Sequence, residues 1–164
     1  MAFGRPDEFL TCVEQIDAKD LAARGFTTAL IDIDNTLVPR DTHEIPASVV
    51  AWIESLKAEG LRICLITNNW HKEVLKYAEY LELPIVHASW KPVPIAFLRA
   101  IKKAGGSRRS ALVIGDQVFT DVFGADFLRM YSILVLPQAS KDLTHTLMLR
   151  RLERFFLRGM TPTR

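Results

Sequence analysis

The sequence predicts an α/β domain in three layers, α/β/α and Rossmann-like, with about five parallel strands and helices on both faces of the sheet. Three observations predict it. Short apolar runs alternate with stretches bounded by helix start and stop signals, and strands alternating with helices close into a parallel sheet. The runs are apolar at nearly every position, not at every second one, as strands buried on both faces must be. Polar residues gather just beyond the carboxyl ends of these runs, which is where open α/β sheets bind ligands.

In order along the chain, Thr28–Ile33 is the first such run. Pro46 opens a helix that extends to about Glu59, and Gly60 ends it. Leu61–Ile66 is the second strand, followed by a helix over roughly Trp70–Leu81. Pro84–His87 reads as a short third strand. Pro94–Ala104 is helical and stops at Gly105-Gly106. Ser110–Ile114 is a fourth strand, Thr120–Arg129 a helix, and Ser132–Leu136 a fifth strand closed by Pro137. Asp142 can cap a final helix that reaches Arg158.

The 164 residues fit one domain, 1–164, with 142–158 as a basic amphipathic C-terminal helix. A net charge of +2 is too small to imply nucleic-acid binding, and none is expected. The charge is uneven: residues 143–164 hold five arginines against Glu153. The N-terminal residues carry Asp7 and Glu8 where a signal peptide needs an apolar core. No apolar run approaches the roughly 18 residues of a membrane span, so a cytoplasmic placement is expected. Two cysteines make no disulfide framework; Cys64 lies in an apolar run and reads as a small core residue, and Cys12 is uninformative.

The strand ends carry the chemistry. Asp32-Ile33-Asp34-Asn35-Thr36 closes the first strand, Thr67-Asn68-Asn69 follows the second, Trp90-Lys91-Pro92 the third and Gly115-Asp116 the fourth, with Asp121 a turn further on. Asp32, Asp34, Asp116 and Asp121 would crowd four carboxylates into one space. Two bare carboxylates about 4 Å apart repel by roughly 4 kcal/mol at an effective dielectric of 20, so the cluster calls for a cation. All-oxygen ligation without a His or Cys pair favours Mg²⁺ over Zn²⁺. A carboxylate such as Asp32 is ionised at neutral pH and can attack phosphorus without a base. Asp34 can protonate a leaving alkoxide and then deprotonate water. Thr67 and Asn68 can hold phosphate oxygens, and Lys91 can balance transition-state charge. Asp116 is the first candidate for a direct metal ligand, and Asp121 for a water-mediated contact or for orienting Lys91. Singly, each residue has a blander explanation as a helix cap, a strand-end hydroxyl or a solvated charge. Their joint arrival at one sheet edge does not.

Asp32-Ile33-Asp34-Asn35-Thr36-Leu37-Val38 resembles the first motif of the haloacid-dehalogenase (HAD) superfamily. Thr67-Asn68 is similar to its second, Lys91-Pro92 to its third and the run from Gly115 to Asp121 to its fourth, over residues 26–137 in all. The resemblance implies a HAD-like fold and a phosphoaspartyl mechanism. It also implies Mg²⁺ held by the Asp32 carboxylate, the Asp34 backbone carbonyl and Asp116. A closer resemblance is to the subfamily IIIA group of YqeG-type phosphatases, which is similar to mitochondrial phosphatidylglycerophosphate phosphatases. That likeness implies a phosphorylated substrate, with a lipid phosphate as the first choice.

About 34 residues separate Asp32 from Thr67 and about 23 separate Thr67 from Lys91. Each interval holds one helix, which leaves no room for a large cap domain. An open site suits a phosphate displayed on something large. Trp70 and Trp90 flank the motifs; partial burial in the core is their commoner fate, rimming the mouth the alternative. His43 lies in the loop after the first motif; contact with substrate is its less common reading, a structural or solvated role the commoner one. In the final helix Met148, Leu149, Leu152, Phe155 and Phe156 form one stripe and the arginines the other side. Such a stripe docks on its own core or, with arginines outward, rests on an anionic membrane face. Two functions of other classes use related features: a receiver-like signalling module phosphorylated on Asp, and a non-catalytic scaffold for membrane or partner. In the first the phosphorylated residue follows the third strand, whereas here the Asp-x-Asp pair follows the first predicted one. The intact motif set weighs against the second.

Overall fold

A computed structural model describes residues 3–139, 153 and 155–163. The elements run β1 (Glu8–Leu10), α1 (Ala18–Ala23), β2 (Thr28–Ile31), α2 (Ala47–Ala58), β3 (Arg62–Ile66), α3 (Leu75–Tyr80), β4 (Ile85–Val86), α4 (Pro94–Ala104), β5 (Ala111–Gly115), α5 (Phe123–Phe127) and β6 (Tyr131–Val135). They form one parallel sheet in the order β1-β6-β5-β2-β3-β4. The predicted class is the observed one, with six strands where the sequence suggested about five.

Strand alternation sorts the core into two layers. Ala29, Ile31, Ile63, Leu65, Leu112 and Ile114 face α1, α2 and α3, packing with Leu21, Ile53, Leu56 and Ala78. Leu30, Cys64, Ile66 and Val113 face the other way, onto Phe97, Ala100 and Ile101 of α4 and Ala125 of α5. Every residue of β2 is buried, which is why its sequence shows no alternation. Helix ends follow local chemistry: the Asp17 carboxylate accepts the Lys19 N–H at 2.8 Å to cap α1. Gly105 takes φ +69° to end α4.

Four departures from the sequence reading have physical causes. β1 was not anticipated: three half-buried residues at an edge carry too little hydrophobic signal to show. The helix expected from Trp70 begins instead as a 3₁₀ turn, Lys72–Val74, before α3. The third strand shrinks to Ile85–Val86 because it is an edge strand of the sheet. The helix expected from Thr120 starts as a wide π turn, Val118–Val122. There the Asp121 and Val122 N–H groups both reach back to the Gln117 carbonyl, at 3.0 and 3.4 Å. Most of the helix expected over 142–158 lies outside the described residues. Of its end, Glu153 accepts the Val118 N–H at 2.8 Å and Phe156 packs edge-on against Phe119 and Phe123. Thr163 then donates to the Phe9 carbonyl at 2.9 Å, beside β1. Among the described residues no helix is long and apolar enough to cross a membrane.

Candidate active site

The sheet order turns at β2, with β3 on one side and β5 on the other. Connections leaving neighbouring strands in opposite directions open a crevice beyond their carboxyl ends. Asp32 stands at that end: its N–H donates to the Ile114 carbonyl at 2.9 Å, the last rung between β2 and β5. The chain then folds back on itself. Asn35 adopts φ +63° and the Leu37 and Val38 N–H groups both donate to the Ile33 carbonyl at 3.0 Å. This tight loop leaves Asp34 half-buried and lets Thr36 Oγ1 donate to Asp32 Oδ2 at 3.2 Å.

Lys91 comes from the loop after β4. Its Nζ lies 2.5 Å from Asp32 Oδ1 and 2.7 Å from Asp121 Oδ1, with all three side chains buried. Asn68 fixes that loop. Its Oδ1 accepts the Lys91 N–H at 2.6 Å and the Ser89 hydroxyl at 2.9 Å, and its Nδ2 donates to the Lys91 carbonyl at 3.0 Å. The Lys91–Pro92 peptide is cis, and Trp90 sits at φ +61°, a conformation bulky residues rarely adopt. It turns Lys91 inward and leaves Trp90 outside.

Asp121 arrives on the π turn. Its Oδ2 accepts the Gln117 N–H and the Thr120 hydroxyl, both at 3.2 Å. Gly115 makes the approach possible, since a Cβ there would collide with the Asp121 carboxyl. On the opposite side Asp34 Oδ2 accepts the Thr67 hydroxyl at 2.8 Å and Oδ1 accepts Asn69 Nδ2 at 3.2 Å. Asp32, Asp116 and Asp121 each offer a carboxylate oxygen within 4.8 Å of the others.

Burial pushes the Asp32 carboxyl well above the usual carboxylate range; Lys91 pulls it down, and Asp121, Asp116 and Asp34 push it up again. Burial pulls the Lys91 ammonium down, but Asp121 and Asp32 outweigh it and raise it, so Lys91 stays charged. Three buried carboxylates within reach of one another make a donor set that fits a hard divalent cation. A bound cation would reverse the upward push on Asp32.

The sequence-predicted residues thus meet at one edge: Asp32, Lys91, Asp116 and Asp121 in one group, Asp34 and Thr67 in an adjoining one. The Asn68 side chain is engaged with the 89–91 loop. Asn69, Thr36 and Ser89 were passed over in the sequence, although Asn69 and Thr36 adjoin the residues read there as functional. Trp70 and Trp90 are not in the core; both are exposed. His43 is exposed, and its carbonyl accepts the Tyr77 hydroxyl at 3.0 Å.

A crevice of buried carboxylates and a clamped lysine, at the turning point of an open parallel sheet, places the chain among Rossmann-like α/β proteins with a ligand site beyond the strand ends. The family model for haloacid dehalogenase-like hydrolases matches residues 11–125, and the chain belongs to that family. It is 33% identical over 158 residues to a Bacillus subtilis (strain 168) protein named Probable phosphatase YqeG, covering 96% of this chain and 92% of that one. The fold is similar to a 4-nitrophenylphosphatase from Thermotoga maritima, with TM-score 0.60, 12% identity, and 84% and 92% of the two chains covered. It is also similar to the cobalt-bound deoxy-D-mannose-octulosonate 8-phosphate phosphatase of Haemophilus influenzae, with TM-score 0.52, 11% identity and 82% and 88% covered. The chain is a phosphatase of the HAD type.

Proposed function

We propose that the protein is a Mg²⁺-dependent phosphomonoester hydrolase that works through a phosphoaspartyl intermediate on Asp32. The observation that carries this reading is the Lys91 bridge between Asp32 and Asp121, set beside Asp116 and across from the Asp34–Thr67 pair. Asp32 and Asp116, with the Asp34 carbonyl, would hold the ion, which when bound lowers the charge barrier between carboxylate and phosphate.

An oxygen of Asp32 attacks phosphorus and the ester oxygen leaves, taking a proton from Asp34. Asp34 then accepts a proton from water as that water attacks the phosphoaspartate, which releases phosphate and restores Asp32. Thr67 and the backbone N–H groups after it hold phosphate oxygens. The Asn68 side chain serves the site indirectly, by fixing Lys91. Lys91 balances the charge on the transferring group. Asp121 positions Lys91.

The substrate is a phosphate displayed on a large carrier. Between β2 and β3 there is one helix, α2, and between β3 and β4 only α3 with its short 3₁₀ turn; neither can form a large lid. Phosphatidylglycerophosphate is the first candidate, on the likeness to lipid-phosphate phosphatases. The test is phosphate release from 4-nitrophenyl phosphate and from phosphorylated lipids and soluble metabolites, with Mg²⁺ or with chelator. Wild type should turn over only with the metal, and Asp32→Asn should be inactive with an unchanged circular-dichroism spectrum. Turnover by Asp32→Asn rejects the nucleophile.

A further inference from the structure

We propose that the outer face of α4, together with the Trp70–Trp90 pair, is a docking surface for an anionic lipid bilayer that sets the phosphatase crevice against the membrane.

Trp70 and Trp90 are 62% and 66% exposed and meet edge to face, with ring centroids 5.2 Å apart. One follows the Thr67–Asn69 loop and the other immediately precedes Lys91, so the pair stands at the crevice. Asn68 ties the two loops together through the Lys91 backbone, and Ala88 N–H donates to the Asn69 carbonyl at 3.0 Å. The left-handed backbone at Trp90 holds the indole in water. A strained conformation that keeps a large apolar side chain exposed points to a use for that exposure.

The apolar surface continues through Val93 into α4. Ile95 and Leu98 are exposed, while Ala96, Phe97, Ala100 and Ile101 face the core. Helical spacing puts Arg99, Lys102 and Lys103 on the same outer side, all of them exposed. Arg99, Lys102 and Lys103 also border a pocket with His87 and strand β4. The segment that carries this face, residues 83–115, contains no Asp or Glu; of its six Lys and Arg, Lys91 is buried in the crevice and the other five are exposed.

Exposed indoles, aliphatic side chains on the first turns of a helix and cations further along it are the features that seat a protein in the headgroup region. The cations select the anionic surface by charge complementarity. A rim of indoles would also bring a lipid-borne phosphate toward Lys91, which is how this surface bears on the proposed reaction; the surface itself does not depend on that reaction.

The test is co-sedimentation of the full chain with phosphatidylcholine vesicles and with equimolar phosphatidylcholine–phosphatidylglycerol vesicles. Brominated lipid provides a parallel readout of tryptophan depth. Wild type should sediment with the anionic vesicles only, release in high salt, and lose tryptophan fluorescence to the brominated acyl chains. Arg99→Glu/Lys102→Glu should bind at least about tenfold more weakly while hydrolysing 4-nitrophenyl phosphate at the wild-type rate. Trp70→Ala/Trp90→Ala should lose the quenching, since the remaining Trp52 is buried. Wild type that ignores anionic vesicles overturns the proposal, as does binding that survives the α4 charge reversal, which would assign attachment to the C-terminal arginines. Hydrolysis of the soluble ester is scored separately, so a failed membrane test leaves the catalytic reading standing and a dead enzyme leaves the binding result readable.

Discussion

At the residue scale the site depends on close approaches that a hydrogen atom permits and a methyl group would forbid. Gly115 ends β5, and the Asp121 carboxyl lies over its Cα. Asp121 in turn holds Lys91, which contacts Asp32. Gly115→Ala should therefore push Asp121 away and loosen the lysine without touching a reacting group. A misplacement of this kind costs roughly a hundredfold in rate, with about 1–3 kcal/mol of stability lost to overpacking. Steady-state kinetics beside a urea titration separates the two: a variant that keeps full kcat shows that the Asp121 contact does not serve catalysis. Most of the side chains that converge on the crevice are legible in the sequence because carboxylates, a hydroxyl and a lysine stand at the ends of apolar runs. The work of Gly115 was not, because a glycine after a strand looks the same whether it only turns the chain or makes room for a carboxylate. The work of Asn68 was also hidden. Its sequence position suggests phosphate, and only the fold brings the 89–91 backbone within reach of its amide.

At the element scale the buried strands were the readable part, and their ends and edges were not. β2, β3, β5 and β6 announce themselves because both faces are covered. β1 pairs with β6 and bridges Thr163 on its other side, and it is half-buried, so its Glu8-Phe9-Leu10 carries no pattern. The π turn before α5 falls where the sequence predicts the start of an ordinary helix; the Val122 N–H bond to the Gln117 carbonyl that widens the turn is local hydrogen bonding with no hydrophobic signature. Two strands carry groups that bear on alkaline stability. On β3, burial pushes the Cys64 thiol up from its ordinary 9.0 to about 11. On β6, burial and the hydrogen bond to Glu8 push the Tyr131 phenol up from 10.0 to about 12. Both groups hold their proton more tightly folded than unfolded, so unfolding releases protons once the unfolded groups begin to titrate. This contribution is intact below the unfolded values and is lost as pH rises through the folded ones, a window from about pH 9 to about 12. Urea midpoints should fall across that window. Cys64→Ala should flatten the lower part of the fall and Tyr131→Phe the upper part. Midpoints in either variant that track wild type throughout would show that the corresponding group does not contribute.

At the scale of the whole molecule, sheet order was the information the sequence could not supply. Alternation predicts parallel strands, but nothing in the residues states that β2 lies between β3 and β5, and that placement is what makes one crevice of four loops. The fold thereby concentrates Asp32, Asp116 and Asp121 at one place, with Lys91 bridging Asp32 and Asp121. If the proposed Mg²⁺ binds this cluster, binding to the folded state alone stabilises that state. Chelated wild type should therefore melt lower than the Mg²⁺-loaded protein. Saturation at about a hundred times Kd is worth roughly 2.7 kcal/mol, and for a domain of this size that corresponds to a rise on the order of 5–10 °C. Asp116→Asn tests the placement of the ion. Losing a ligand should erase most of the Mg²⁺-dependent rise. Differential scanning calorimetry of both proteins, with chelator and with Mg²⁺, reads all four values at once. An undiminished Mg²⁺ response in that variant would move the ion away from this cluster.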